Sequence, residues 1–228
     1  MGARTVEIGA PAEGLRVWTA GLERSAGDVE ALERALAADE RARAARFGRP
    51  DLRDRYVVGR ATLRAILGEA LGVPPASVPI MRGRRGRPMV PGGAIDFNVS
   101  HTRGTAVFCV SRSVRVGIDI EHRDRDVNVE GVARKFMSER ERSMLDGLAG
   151  DDRRQALLRL WTCKEAMSKA TGDALAAPFR RLDVELAPAP ALAAGPAPYD
   201  PRRWRLVPVD VPGGYLTTVA VWHEPPSP

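Results

Sequence analysis

Two carboxylates stand two residues apart in the run Gly117-Ile118-Asp119-Ile120-Glu121. Around them the residues alternate. Val114, Val116, Ile118 and Ile120 fall on one side of an extended chain, and Gly117, Asp119 and Glu121 on the other. A strand therefore presents both acids on one face. Two like charges that close are unfavourable unless a cation lies between them. A hard cation with oxygen ligands, Mg²⁺ above all, is the natural partner. The competing reading is an exposed strand with solvated acids. A third acid, Glu165, lies in Trp161-Thr162-Cys163-Lys164-Glu165-Ala166-Met167-Ser168-Lys169, which also holds two of the chain's three lysines. A compact ammonium is a good point-charge partner for phosphate. Asp119, Glu121 and Glu165 together would suit an Mg²⁺ that also takes water and substrate phosphate. Against this stands a Glu165–Lys169 surface pair, four apart on a helix and worth about 0.3 kcal/mol.

Two more segments carry chemistry-bearing residues. In Asn98-Val99-Ser100-His101 a hydroxyl and an imidazole sit near a turn and can bind phosphate, although turn residues of this type are more often structural. No G-x-S-x-G elbow surrounds Ser100, so a serine hydrolase is disfavoured. In Gly83-Arg84-Arg85-Gly86-Arg87-Pro88 the glycines bring backbone close to a ligand and the arginines grip phosphates. A solvated basic loop is the alternative.

The elements that must position these residues follow from periodicity. A charged helix is expected from Asp28, as N-cap, to Arg46, with Gly48 as its stop. A second spans about Leu52–Leu71, with an apolar stripe of Tyr56, Leu63, Ile66, Leu67, Ala70 and Leu71. Met81–Gly93 reads as a loop with one short strand. Strands Ile95–Val99 and Thr105–Val110 flank a turn at His101–Gly104 and form a hairpin. Arg115–Glu121 is the third strand. A loop and a short helix cover Val129–Leu148. A strong helix covers Asp151–Thr171, stopped by Gly172. Strands follow at Leu182–Leu186, Trp204–Pro208 and Tyr215–Trp222, with an exposed, partly disordered loop at Ala187–Pro201. Helices followed by strands occur twice, which permits two α+β halves joined near residue 112.

Composition bounds the function. With 228 residues, 44% of them hydrophobic, the chain can bury a core without metal or disulfides. Neither Cys109 nor Cys163 sits in a zinc-binding spacing. No apolar run reaches the length of a membrane span. The start, MGARTVEIGAPAEG, lacks the layout of a signal peptide, so the cytoplasm is the expected compartment. The net charge of +6 is almost entirely arginine and favours an anionic partner: nucleic acid, a phosphorylated cofactor or an acidic protein.

The order of the motifs is more informative than any one of them. G-R-P, F-N-V-S-H, V-G-I-D-I-E and W-T-C-K-E-A-M-S-K resemble the Sfp-type 4′-phosphopantetheinyl transferases across about Arg41–Lys169. Ala133-Arg134-Lys135-Phe136-Met137-Ser138 with Glu141 resembles a further segment of that family. The resemblance implies an α+β fold of two similar halves about a pseudo-twofold axis, 1–112 and 113–228, with coenzyme A between them. It implies transfer of phosphopantetheine to a serine of an acyl or peptidyl carrier protein, with release of 3′,5′-ADP. Asp119, Glu121 and Glu165 would hold Mg²⁺, with Glu165 also the base. Lys164 and Lys169 would neutralise phosphate, Lys169 also stabilising the leaving group. Arg43, Arg87, Ser100 and His101 would grip the 3′-phosphate or adenine end, with Arg41 a near alternative to Arg43. Phe136 and Met137 are candidates for carrier contact. A monomer is expected, with no membrane or nucleic-acid partner. A Mg²⁺-dependent nuclease or phosphohydrolase on the same acids is the alternative, and a basic nucleic-acid module is disfavoured by sparse aromatics.

Overall fold

The computed structural model describes residues 5–12 and 14–224. Strands β1 (Thr5–Ala12) and β2 (Leu15–Gly21) lead into helices α1 (Ala26–Glu33), α2 (Ala38–Ala44) and α3 (Pro50–Leu71). The short strands β3 (Met81–Arg82) and β4 (Pro88–Met89) precede a hairpin of β5 (Asp96–Thr102) and β6 (Thr105–Ser111). Then come β7 (Arg115–His122), α4 (Val129–Phe136), α5 (Glu139–Asp146) and α6 (Gly150–Thr171). The chain closes with β8 (Asp183–Glu185), β9 (Ala191–Ala194), β10 (Trp204–Pro208) and β11 (Tyr215–Trp222). The class is α+β. One antiparallel sheet runs β1-β2-β6-β5 and another β10-β11-β7. Among the described residues no helix is long and apolar enough to cross a membrane.

Each sheet carries one 22-residue helix, α3 or α6, and local chemistry sets their ends. Pro50 opens α3 at a position where its missing N–H costs nothing. Gly72 and Gly172 close the two helices in the left-handed conformation, with φ of 71° and 81°. One apolar cluster packs α3 on the first sheet (Leu63, Leu67, Phe97, Phe108). A second packs α6 on the other (Leu160, Met167, Trp204, Ala220), and a third joins the sheets (Val17, Val107, Ile118, Val219).

The sheets meet along β5 and β7, where side chains replace a backbone ladder. Asp96, Asn98 and Ser100, two apart and on one face, reach across to β7. Asp96 Oδ2 accepts from the Val116 N–H at 2.8 Å and Asn98 Oδ1 from the Ile118 N–H at 3.0 Å. The Ser100 hydroxyl donates to Asp119 Oδ1 at 2.9 Å. Helix α6 lies on β7 at Gly117, where a Cβ would stand 2.0 Å from the Ala166 carbonyl oxygen and 2.6 Å from the Ala170 nitrogen. Only glycine permits that approach. Gly117→Ala should cost about 3 kcal/mol or more, because the obstruction is backbone and cannot rotate away. Urea denaturation measures it, and a loss under about 1 kcal/mol would mean that helix and strand separate easily.

Several sequence expectations are corrected. The single helix expected from Asp28 to Arg46 is two. Leu36 turns into the core between them, Ser25 rather than Asp28 caps α1, and the Glu40 carboxylate accepts from the Ala37 N–H to start α2. Val129–Leu148 also holds two helices, because Ser138 and Glu141 form a capping box that restarts the chain. The hairpin turn is the pair Arg103-Gly104, both at positive φ, so Ser100 and His101 lie within β5. The expected loop at Ala187–Pro201 contains β9, and its Tyr199 is fully buried. Strands β1 and β2 carry no expectation from the sequence.

Candidate functional site

The glycine contact at 117 sets Glu165 and Lys169 of α6 beside Asp119 and Glu121 of β7. Lys169 Nζ donates to Asp119 Oδ1 at 2.6 Å and to Ser100 Oγ at 2.8 Å. Asp119 Oδ2 is buried without a partner, and so is Glu165 Oε1. Glu121 pairs with Arg125, four residues on and just past the end of β7. Burial, first, raises the pKa values of Glu121 and Glu165. Asp119 adds to the rise in both, and Glu121 to that of Glu165. The three acids thus share one neighbourhood, in which Asp119 opposes the ionisation of both glutamates. Among the described residues no three acid, histidine or cysteine side chains form a closed metal cluster. Lys169 and Arg125 supply the compensating positive charge. Two buried, unpartnered carboxylate oxygens in an all-oxygen set nonetheless fit a hard divalent cation.

Beside these acids opens a cleft of about 690 Å³ between α2, α3, the 85–88 loop, the β5–β6 hairpin and the end of α6. Seven of its lining residues are arginine or lysine and none is aspartate or glutamate. Lys169 lines it and joins it to the acids. Such a surface concentrates a polyanion. Arg43 lies at the cleft with its guanidinium 5.3 Å from the Tyr56 ring centroid, and it has no ion pair among the described residues. Arg41 instead bonds the Leu36 carbonyl and is not among the residues that line the cleft. His101 lines the same cleft, and its pKa is lowered by desolvation and then by Lys169. Ser100 is turned toward Asp119 and Lys169.

Two predicted contacts are not where the sequence put them. Lys164 is fully buried: it pairs with Glu141 at 2.6 Å and donates to the carbonyls of Phe136, Phe179 and Leu182. All its donors are used inside the second half, so it has none for a phosphate. The guanidinium of Arg87 grips Asp96 with two bonds of 2.8 Å and donates to the carbonyls of Phe97, Val116 and Lys169. It ties the two sheets together, and it lines the cleft with its guanidinium already engaged by protein acceptors. Met137 is also fully buried, which removes it from any carrier surface, while Phe136 packs on Trp161 and Phe179. The sequence reading missed Arg60, which lines the cleft and is held by the buried Glu40. Its signal was present: Arg60 lies one helical turn after Tyr56.

Comparison with known proteins bears on this arrangement. The profile of the 4′-phosphopantetheinyl transferase superfamily matches residues 115–220, and that of the 4′-phosphopantetheinyl transferase N-terminal region matches residues 23–113. The 4′-phosphopantetheinyl transferase HetI of Nostoc is 34% identical over 178 residues, covering 76% of this chain and 75% of its own. The chain belongs to the 4′-phosphopantetheinyl transferase superfamily. A 4′-phosphopantetheinyl transferase of Bacillus subtilis is 29% identical over 163 residues, 71% of either chain. A solved holo-[acyl-carrier-protein] synthase of Thermotoga maritima matches 49% of this chain and 64% of its own, at 20% identity and a TM-score of 0.40. As a member of the superfamily the protein is a transferase that uses coenzyme A and acts on carrier proteins.

Proposed function

We propose that this transferase binds coenzyme A in the basic cleft and works with Mg²⁺ held by Asp119, Glu121 and Glu165. The single observation that carries the proposal is the junction at Lys169, which lines the cleft and bonds Asp119. It places the acids beside the surface that attracts the phosphates. Mg²⁺ bound there supplies neutralisation of the pyrophosphate and of the charge that grows on the leaving group. The residues of the chain do the rest. Arg43 and His101 hold the 3′-phosphate or adenine end, with Ser100 positioned behind them. Lys169 faces the pyrophosphate. Glu165, whose pKa is raised by burial and neighbouring acids, takes the proton of the carrier serine hydroxyl. The serine oxygen bonds to the phosphorus next to the pantetheine arm as the bond to 3′,5′-ADP breaks. Catalysis is mainly positioning and charge stabilisation. We take the chain as two similar halves about a pseudo-twofold axis, 1–112 and 113–228, acting as a cytoplasmic monomer.

Incubation of an apo carrier protein with enzyme, Mg²⁺ and coenzyme A, followed by mass spectrometry, tests the proposal. A phosphopantetheine mass on the carrier, absent when Mg²⁺ is chelated, is expected. Hydrolysis of coenzyme A or of a nucleic acid, with no mass added to the carrier, would favour a phosphohydrolase. Arg43→Ala should raise KM for coenzyme A about tenfold while leaving kcat at saturation nearly unchanged. One charge-assisted hydrogen bond is worth about that much, and the contact is equal in ground and transition states. Unchanged KM would remove Arg43 from the site.

A further inference from the structure

We propose that Arg85 is a coenzyme-binding residue held in reserve: an ion pair with Asp173 latches it to the end of α6, and an anion entering the cleft releases it. The inference rests on the reading that coenzyme A occupies the basic cleft. Arg85 lines that cleft and also a second cavity of about 610 Å³ behind the 83–89 loop, which Arg115, Tyr199 and Trp222 border. It is the wall between the two. Its backbone stands in the left-handed region, at φ 58° and ψ 18°, where a non-glycine residue is uncommon and such strain collects at ligand sites.

The pair it makes with Asp173 is unequal. The side chain of Asp173 is only 13% exposed. Its Oδ2 accepts from the Tyr199 hydroxyl at 2.8 Å and from the Thr171 hydroxyl at 2.9 Å. The Arg85 side chain is 55% exposed, and its only ion pair among the described residues is with Asp173. The acid thus has two further hydrogen-bond partners to hold it, and the arginine has the acid alone. On the cleft side no carboxylate waits for it, so the alternative partner for Arg85 there is a ligand anion. The exchange is charge-conserving for the arginine: one anionic partner replaces another. Asp173 is left with the hydroxyls of Tyr199 and Thr171.

The latch lowers affinity by the fraction of molecules in which Arg85 is free. With its arginine half exposed to solvent the pair is weak, so that fraction is roughly one in three to one in five. Asp173→Asn keeps an acceptor for Tyr199 and Thr171, removes the charge that holds Arg85, and should tighten coenzyme A binding about three- to fivefold. Arg85→Gln should weaken it about tenfold. In the double variant, Asp173→Asn should add nothing, because there is no arginine left to release.

Isothermal titration with coenzyme A, without carrier, on wild type, both single variants and the double variant reads all three numbers. Unfolding temperatures of the same samples establish that each is folded. Weaker binding in both single variants would show a merely structural pair and overturn the latch. Equal tightening by Asp173→Asn in the wild-type and Arg85→Gln backgrounds would show simple repulsion between Asp173 and the ligand, and would overturn it too. Should Asp173→Asn fail to fold, Arg85→Gln alone decides, since unchanged affinity means that Arg85 never reaches the ligand. A wild-type protein that does not bind coenzyme A overturns the reading of the cleft itself, and the latch with it. Normal binding that Arg43→Ala weakens and these variants leave unchanged overturns the latch alone.

Discussion

Asp119→Asn should fold as stably as the wild type to within about 1 kcal/mol, yet transfer phosphopantetheine at least about a hundredfold more slowly at any Mg²⁺ concentration. Asp119 is the acid that both Lys169 and Ser100 touch. Its Oδ1 receives the Lys169 ammonium and the Ser100 hydroxyl, while its Oδ2 is buried with nothing to accept. A buried carboxylate oxygen without a donor is costly, and such an exception is explained when a ligand completes it. Asparagine keeps the shape but removes the charge, and its amide group offers donors where a cation needs acceptors. Glu165→Gln should behave more mildly, because it changes one ligand beside two intact carboxylates. Excess Mg²⁺ should restore part of its rate. In the wild type the raised pKa values of Glu165 and Glu121 have a definite sign. As pH falls these acids protonate sooner than free carboxylates and would then be lost to their proposed roles of ligand and base, so on that proposal transfer should fail on the acid side above the ordinary glutamate range. Mg²⁺ titrations of rate for the three proteins, with unfolding curves alongside, check these points. Near-wild-type turnover by Asp119→Asn would place the metal elsewhere.

The parts of this site that the sequence revealed are those set by short-range rules. Alternation in Val116–Glu121 put Asp119 and Glu121 on one strand face, and the structure buries Val116, Ile118 and Ile120 on the other. Gly172 ended its helix as expected, because a left-handed cap is a local matter. Trp204–Pro208 and Tyr215–Trp222 are strands with the bounds expected. What the sequence hid depends on partners distant in the chain. Nothing in Gly83–Pro88 announces that Arg87 answers to Asp96 and to three carbonyls spread from Phe97 to Lys169. Arg60 follows Tyr56 by one helical turn, but only the fold brings Glu40 of α2 against it. Strands β1 and β2 were missed because β2 pairs with β6, some ninety residues later, and gains its stability there. The loop from Ala187 to Pro201 misled through its composition, since Ala and Pro conceal a short strand and a buried tyrosine.

Lys164 carries the other large effect, and it is one of stability. Lys164→Met should lower the free energy of unfolding by about 3–5 kcal/mol, because it leaves the Glu141 carboxylate buried without a counter-charge. Glu141 is only 2% exposed, and its oxygens also accept from the N–H groups of Ser138 and Val184. It starts α5 and pins β8 at once. Replacing both members of the pair, as Lys164→Met with Glu141→Gln, removes both buried charges but keeps only one of those two acceptor roles, because the two N–H groups donate to different oxygens and a glutamine amide has a single one. That double variant should regain part of the loss. Acidity separates the single variant from the wild type. Burial raises the pKa of Glu141, and Lys164 opposes the rise. Without Lys164 the folded state holds a proton on Glu141 that the unfolded state releases above its ordinary carboxylate pKa. Stability then falls as pH rises and is recovered as pH drops toward that range, more in Lys164→Met than in the wild type. Urea denaturation of the three proteins at neutral and mildly acidic pH measures each of these differences. Transfer per folded molecule decides the role of the lysine. The structure predicts that folded Lys164→Met turns over within a few-fold of the wild type, since Lys169 alone of the two lysines faces the cleft. A variant of undiminished stability that had lost turnover would return Lys164 to the phosphates.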